Sequence, residues 1–211
     1  MTITYRELEE GRFEANINGT LLTLELNRER GYPGMPGSKR DGTPHLDMYR
    51  KAAGILGSGL TILDCACGSG YGSAFLAECG HLVSGADVAP VAVAFATHAY
   101  SGHHAATFVV ADMVDLPYGS GSFDAVVSVE AIEHTKEPAR ALREFRRVLR
   151  PGGTLFITTP QGSEWKPWSP FHEWEARMDQ FESMLSEAGF TEQKWWPSPT
   201  EWVVTCTKET R

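Results

Sequence analysis

The chain has 211 residues, 42% of them hydrophobic and 22% charged, which is enough apolar material to bury a full core. A formal net charge of −8 and a pI of about 5.4 leave no electrostatic footprint for a phosphate backbone, so nucleic acid is not an expected partner. No apolar stretch approaches the roughly 18 residues of a membrane span and no N-terminal run resembles a signal peptide, so the expectation is a cytoplasmic protein with no membrane partner.

In chain order, Arg12 to Ile17 and Thr20 to Leu26 flank Asn18-Gly19, the strongest two-residue hairpin signal, and predict a β-hairpin or extended arm. Gly31 to Pro44 is too rich in Gly and Pro for a helix and reads as a loop, either a lid or a surface linker. His45 to Leu56 places Leu46, Met48, Tyr49, Ala52, Ala53 and Ile55 at helical spacing. We divide the chain into an N-terminal extension, 1–50, and one main domain, 51–211.

Thr61-Ile62-Leu63 is a short β-branched and apolar run that ends in Asp64 and a series of small residues, a strand followed by a sharp turn. Gly68 and Gly70 permit positive φ there, and Tyr71 to Glu78 reads as the helix that follows. A strand, a glycine turn and a helix N-terminus present backbone N–H groups where doubly wound sheets bind nucleotides. The next apolar run, His81 to Ala86, is closed by Asp87, about twenty residues beyond the turn and placed to accept both hydroxyls of a ribose. Thr107 to Ala111 leads into Asp112-Met113, where a carboxylate could receive an adenine amino group while the thioether packs on the ring. The three strand ends point to one adenine nucleoside.

Further along, Pro90 to Tyr100 predicts a helix, Phe123 to Glu130 the fourth core strand, and Pro138 to Leu149 an amphipathic helix stopped by Pro151-Gly152-Gly153. Its arginines, Arg140, Arg143, Arg146 and Arg147, are interleaved with Glu137 and Glu144 and read as a solvated face. Thr154 to Thr159 is the fifth strand, Met178 to Ala188 a helix, and Lys194 to Trp196 with Trp202 to Thr207 a closing hairpin. Strands alternating with helices, then two late strands, predict an α/β fold: a mostly parallel sheet with one antiparallel strand. Of the four cysteines, Cys65, Cys67, Cys79 and Cys206, the close pair Cys65 and Cys67 could bind a soft metal but is expected to be buried, reduced thiols.

The blocks LDCACGSG, GADVAP, ADMVDLPYGSGSFDAVVSVEAIEHTKEPARALREFRRVLRPGG and TLFITTP, in this order over about Leu60 to Pro160, resemble the class I S-adenosylmethionine-dependent methyltransferases. The resemblance implies a doubly wound, seven-stranded Rossmann-like sheet with helices on both faces, and S-adenosyl-L-methionine as cofactor. It assigns the cofactor to Asp64, Ala66, Cys67, Gly68, Gly70, Tyr71, Asp87, Val88, Asp112, Met113 and Glu130. Ala66 stands where the family's first motif usually has its first glycine, which the turn accommodates if φ stays negative.

The sulfonium supplies the electrophile in methyl transfer, which leaves the protein to align the acceptor and remove its proton. His134, just past the fourth strand in Glu130-Ala131-Ile132-Glu133-His134, is the first candidate for a general base, with Glu133 orienting it. That E-x-x-E-H segment resembles one in ubiquinone-pathway O-methyltransferases where divalent cations are implicated; no metal is assigned here. Gln161 to Trp174 holds four aromatic residues in its last ten, a lid and stacking platform or a packed loop. Within it, SPFHEWE resembles the NPFHxxE segment of glycan-pathway methyltransferases, which makes His172 the second candidate base. The expected activity is O-methylation of a small-molecule hydroxyl, with a sugar or glycan favoured. The alternatives are a quinone-like phenol, a natural product, or a catalytically inactive cofactor-binding subunit.

Overall fold

The computed structural model describes residues 3–9, 12–25, 32, 45–100, 106–162 and 169–210. The expectations for the Gly/Pro-rich loop other than Tyr32, and for Ser163 to Trp168 of the aromatic loop, lie outside these residues.

The chain opens with β1 (Ile3–Glu9), β2 (Arg12–Ile17) and β3 (Thr20–Glu25), an antiparallel sheet in that order. Asn18 and Gly19 both take positive φ, 51° and 94°, as a two-residue turn of the type that matches strand twist requires. The sequence reading had the hairpin but not β1. Phe13, Ala15, Ile17 and Leu24 are buried in one cluster with Tyr32 and with Phe95, Ala99 and Tyr100 of α3 (Pro90–Tyr100). The extension is therefore attached to the main body by a continuous apolar contact. α1 (Leu46–Leu56) buries Tyr49 and Ala52 side by side, so the boundary drawn at residue 50 falls inside one helix.

The main sheet contains β4 (Thr61–Cys65), β5 (Leu82–Asp87), β6 (Ala106–Val110), β7 (Phe123–Val129), β8 (Leu149–Pro160), β9 (Phe190–Trp196) and β10 (Glu201–Lys208). Their order is β6-β5-β4-β7-β8-β10-β9, and only β10 runs against its neighbours. This is the expected Rossmann-like, doubly wound sheet. Alternate residues of the central strands serve opposite faces: Val126, Leu155 and Ile157 pack with α4 (Pro138–Val148) and α5 (Met178–Glu187), while Ala125, Val127 and Phe156 pack with α1 and α2 (Tyr71–Glu78). The chain steps from β4 outward to β6, then returns to β7 on the other side of β4. That reversal opens a crevice at the carboxyl ends of β4 and β7.

Two local expectations are corrected. Pro151-Gly152-Gly153 does not separate helix from strand: α4 ends at Val148, β8 begins at Leu149, and the pairing with β7 jumps from Phe123–Leu149 to Ala125–Thr154. The three residues are absorbed as an irregularity inside the strand. The arginines of α4 are not uniformly solvated either. Arg147 donates to the carbonyls of Tyr118 (2.6 Å) and Leu116 (3.0 Å), and Arg146 to that of Gly189 (3.0 Å), so two of the four staple loops whose carbonyls lack strand partners.

Candidate active site

The turn after β4 is pinned at both ends by backbone bonds. Cys67 N–H donates to Ala86 O on β5 (2.9 Å) and Gly70 N–H to Cys67 O (3.0 Å). Asp87, at the end of β5, accepts from Gly68 N–H (2.9 Å) and Ala89 N–H (2.9 Å), so its carboxylate is locked against the turn. A cavity of about 570 Å³ opens above this frame, within the range of small-molecule sites. Ala66, Cys67, Gly68, Tyr71, Asp87, Val88, Asp112, Met113, Glu130 and His134 line it. Nine of the eleven residues expected to bind cofactor are thus brought to one wall system, with His134 beside them.

Asp64 and Gly70 stand behind that wall. A Cβ on Gly70 would lie 2.5 Å from Ala96 Cβ and 2.8 Å from the Phe108 ring, so the residue, at φ 82°, meets the core. Asp64 is fully buried and accepts from Tyr49 Oη (3.1 Å) and Ser73 Oγ (2.5 Å). Burial pushes its carboxyl up to about 7; the Ser73 and Tyr49 hydrogen bonds pull the other way, and the charge of Asp87 adds to the rise. Tyr49 reaches Asp64 because Gly72 has no side chain, a Cβ there being 2.1 Å from the phenol ring. The expectation of a negative φ at Ala66 is overturned: φ is +64°. The turn needs a left-handed residue at this point, and alanine supplies it at a steric cost.

Glu130, also at positive φ (48°), ends β7 facing the cavity. Thr158 Oγ1 on β8 accepts from its N–H (3.0 Å) and donates to its Oε1 (2.7 Å). One residue along, Thr159 Oγ1 donates to Glu133 Oε2 (2.9 Å), and Glu133 is buried, off the cavity. The two threonines of β8 hold the two glutamates of the turn after β7. The sequence reading missed them, although Thr-Thr at the end of a strand is a pattern that supplies hydroxyls at a sheet's carboxyl edge.

His134 belongs to a single 3₁₀ turn, Ile132–His134. Its Nδ1 lies 3.0 Å from the Phe171 carbonyl oxygen, which only accepts, so Nδ1 carries the hydrogen and Nε2 is the basic nitrogen of the neutral ring. Glu133 Oε1 is 3.9 Å from that Nε2. The His172 ring meets the His134 ring edge-on, with centroids 5.0 Å apart and planes at 75°. His172 is itself buried, with Nδ1 2.6 Å from Glu175 Oε1. The two candidate bases are therefore not alternatives on opposite sides of the site. They form one cluster, and of the two only His134 lines the cavity.

Glu133, His134 and His172 offer donor atoms within 4.8 Å of one another, a set whose chemistry suits a divalent cation. At the cavity mouth stand His45, Thr135, Lys136, Phe171 and Glu173, where Lys136 Nζ faces Glu173 Oε1 at 3.8 Å. None of these five was given a site role from the sequence, although Phe171 and Glu173 belong to the SPFHEWE segment that reads as a lid or stacking platform; only Thr135 and Lys136 come from a loop whose spacing carries no motif.

A methyltransferase-domain family profile matches residues 63–157. A protein of Mycolicibacterium smegmatis, named as a probable S-adenosylmethionine-dependent methyltransferase, is 30% identical over 178 residues, 82% of this chain and 68% of that protein. The chain belongs to the S-adenosylmethionine-dependent methyltransferases. S-adenosyl-L-methionine is the cofactor of this methyltransferase, and the cavity suits it: a carboxylate locked at the end of β5, Asp112 and Met113 just past β6, and a left-handed glycine, Gly68, beside open space. A ubiquinone biosynthesis O-methyltransferase of Xanthomonas campestris is 36% identical over 110 residues, 51% of this methyltransferase and 46% of that enzyme. Among solved structures, the [4+2]-cyclase SpnF superposes with a TM-score of 0.72 at 21% identity, covering 88% of this chain and 89% of that one, a likeness of fold. The chain spans about half the length of several curated relatives it matches.

Proposed function

We propose that the protein is an O-methyltransferase that transfers a methyl group to a small-molecule hydroxyl, with His134 as general base. The observation that carries this reading is the tethered imidazole: His134 lines the cavity, and the Phe171 carbonyl fixes Nδ1 as its protonated nitrogen. When bound, S-adenosylmethionine would supply the electrophilic methyl on its sulfonium, and the breaking carbon–sulfur bond would leave S-adenosylhomocysteine as a neutral thioether. Asp87, Asp112 and Met113 would hold the nucleoside, and Glu130 the methionine end. The acceptor enters between His45, Phe171 and the Lys136–Glu173 pair, and its hydroxyl proton passes to His134 Nε2 as the oxygen attacks. The Phe171 carbonyl and the Glu133 carboxylate then stabilise the imidazolium.

For the acceptor, a quinone-like phenol ranks ahead of the sugar favoured by the sequence reading. The Xanthomonas relative is named for the ubiquinone pathway, and the cavity mouth carries an exposed phenyl ring, Phe171, against which an aromatic acceptor can stack. His134→Ala is expected to lower kcat by about 10² to 10⁴ with cofactor affinity unchanged, assayed by radiolabelled methyl transfer to a panel of phenols and sugars. A loss of only a few-fold would retire the base. Chelator is expected to leave the wild-type rate unchanged. If it abolishes transfer and Mg²⁺ restores it, the Glu133, His134 and His172 donor set holds a cation and the role of His134 is ligation.

A further inference from the structure

Behind His134 lies a group that the reaction as described does not use. The His172 and Glu175 side chains are 3% and 2% exposed, bonded at 2.6 Å, and neither lines the cavity. A sealed carboxylate–imidazole pair is a poor way to stabilise a fold, because apolar residues of the same volume would do so without the desolvation cost. Its position suggests another purpose. His172 presses edge-on against His134, and the residues beside it grip the same three-residue stretch: Phe171 O accepts from His134 Nδ1 (3.0 Å), Glu173 N–H donates to Glu133 O (2.8 Å), and Trp174 Nε1 donates to Thr135 O (3.0 Å). The segment 171–175 is a clamp on residues 133–135, and the His172–Glu175 bond is its buried pin.

We propose that Glu175 is a positioning residue: by fixing the His172 ring it holds His134 against the Phe171 carbonyl, in the single tautomer whose Nε2 is the basic nitrogen. The proposal rests on the reading of His134 as the base. Its chemistry is the familiar orienter behind a general base, displaced by one ring. Glu175 fixes an imidazole, and that imidazole fixes the one that works.

The test uses the full chain and three variants. Glu175→Met keeps the volume and removes the acceptor; Glu175→Gln keeps an acceptor oxygen for Nδ1–H; His134→Ala removes the target. Imidazole ¹⁵N spectra of the wild type should show His134 protonated at Nδ1 alone. In Glu175→Met the two His134 nitrogen shifts should move toward each other as the tautomers mix, and kcat should fall about tenfold with KM for S-adenosylmethionine within twofold. Glu175→Gln should restore both readings most of the way, and in the His134→Ala background Glu175→Met should cost nothing more. An unchanged His134 spectrum in the folded Met variant overturns the proposal, whether or not transfer depends on His134. Equal rate losses with and without His134 overturn it too. If Glu175→Met does not fold, His172→Phe, which keeps a ring against His134 but releases it from Glu175, is read by the same spectrum with the same two outcomes. A His134→Ala enzyme that retains its rate refutes instead the role of His134 as base, so the two failures are distinguishable.

Discussion

Ala66 and Glu130 end the two strands that flank the crevice, and both hold left-handed backbone that side chains disfavour. Such residues persist only where their surroundings over-determine them, and here each lies on the cavity wall. At Ala66 the magnitudes can be compared. The left-handed conformation costs an L residue about 1 to 2 kcal/mol, and glycine would lose about 0.5 to 1 kcal/mol more chain entropy on folding. Ala66→Gly should therefore stabilise the protein by roughly 0.5 to 1 kcal/mol, read as a higher urea midpoint at constant slope. A lowered midpoint would mean that the methyl group's contacts outweigh its strain. The sequence exposed this position as a departure from a familiar motif, but not the sign of its φ, because the turn's path is set by the hydrogen bond from Cys67 to β5, a partner some twenty residues away.

At the level of elements, α1 and α2 meet through a vacancy. Gly72 sits in the first turn of α2, where helix propensity alone says that alanine should gain up to about 1 kcal/mol. The Tyr49 ring occupies the place its methyl would take, and that ring carries the hydroxyl that bonds Asp64. Gly72→Ala should instead destabilise by about 1 to 3 kcal/mol, the usual cost of overpacking, and in a Tyr49→Ala background the same change should become neutral or favourable. A chemical denaturation cycle of the four proteins decides it. Elements of this kind were legible where one segment carries its own signal: the Asn-Gly turn, the glycine turn after β4, and the apolar runs closed by Asp87 and Asp112. They were illegible where the partner is remote. β1, Ile-Thr-Tyr-Arg-Glu-Leu-Glu, has no turn dipeptide to announce it and becomes a strand by pairing with β2. The meeting of His134 and His172, thirty-eight positions apart, arises because β7 and β8 are neighbours in the sheet and deliver their following loops to one edge.

Over the whole molecule the buried carboxyl of Asp64 makes stability depend on pH in the direction opposite to most acids. Its folded value, near 7, is above the ordinary value near 4, so the folded state holds this proton more tightly than the unfolded chain. The contribution is fully present below about pH 4 and is lost as pH rises through 7. Asp64→Asn has no proton to lose, and its stability relative to wild type should climb by on the order of 4 kcal/mol between pH 4 and 7.5. Parallel urea titrations at the two pH values measure the difference, and a constant offset would show the carboxyl to be ionised throughout. The strand order has a consequence in time. β10, late in the chain, lies inside the sheet between β8 and β9, and until it docks β8 is a bare edge and β9 has no strand to join. The threonines that hold Glu130 and Glu133 are on that same β8, paired with Val203 and Trp202 of β10. The strand that steadies the turn after β7 thus depends for its outer neighbour on residues past 200, whereas the wall formed by residues 64–113 draws its strand pairing from β4, β5 and β6. A chain cut short before β10 would keep the strands that frame the cofactor pocket and lose the neighbour that braces the threonines beside it.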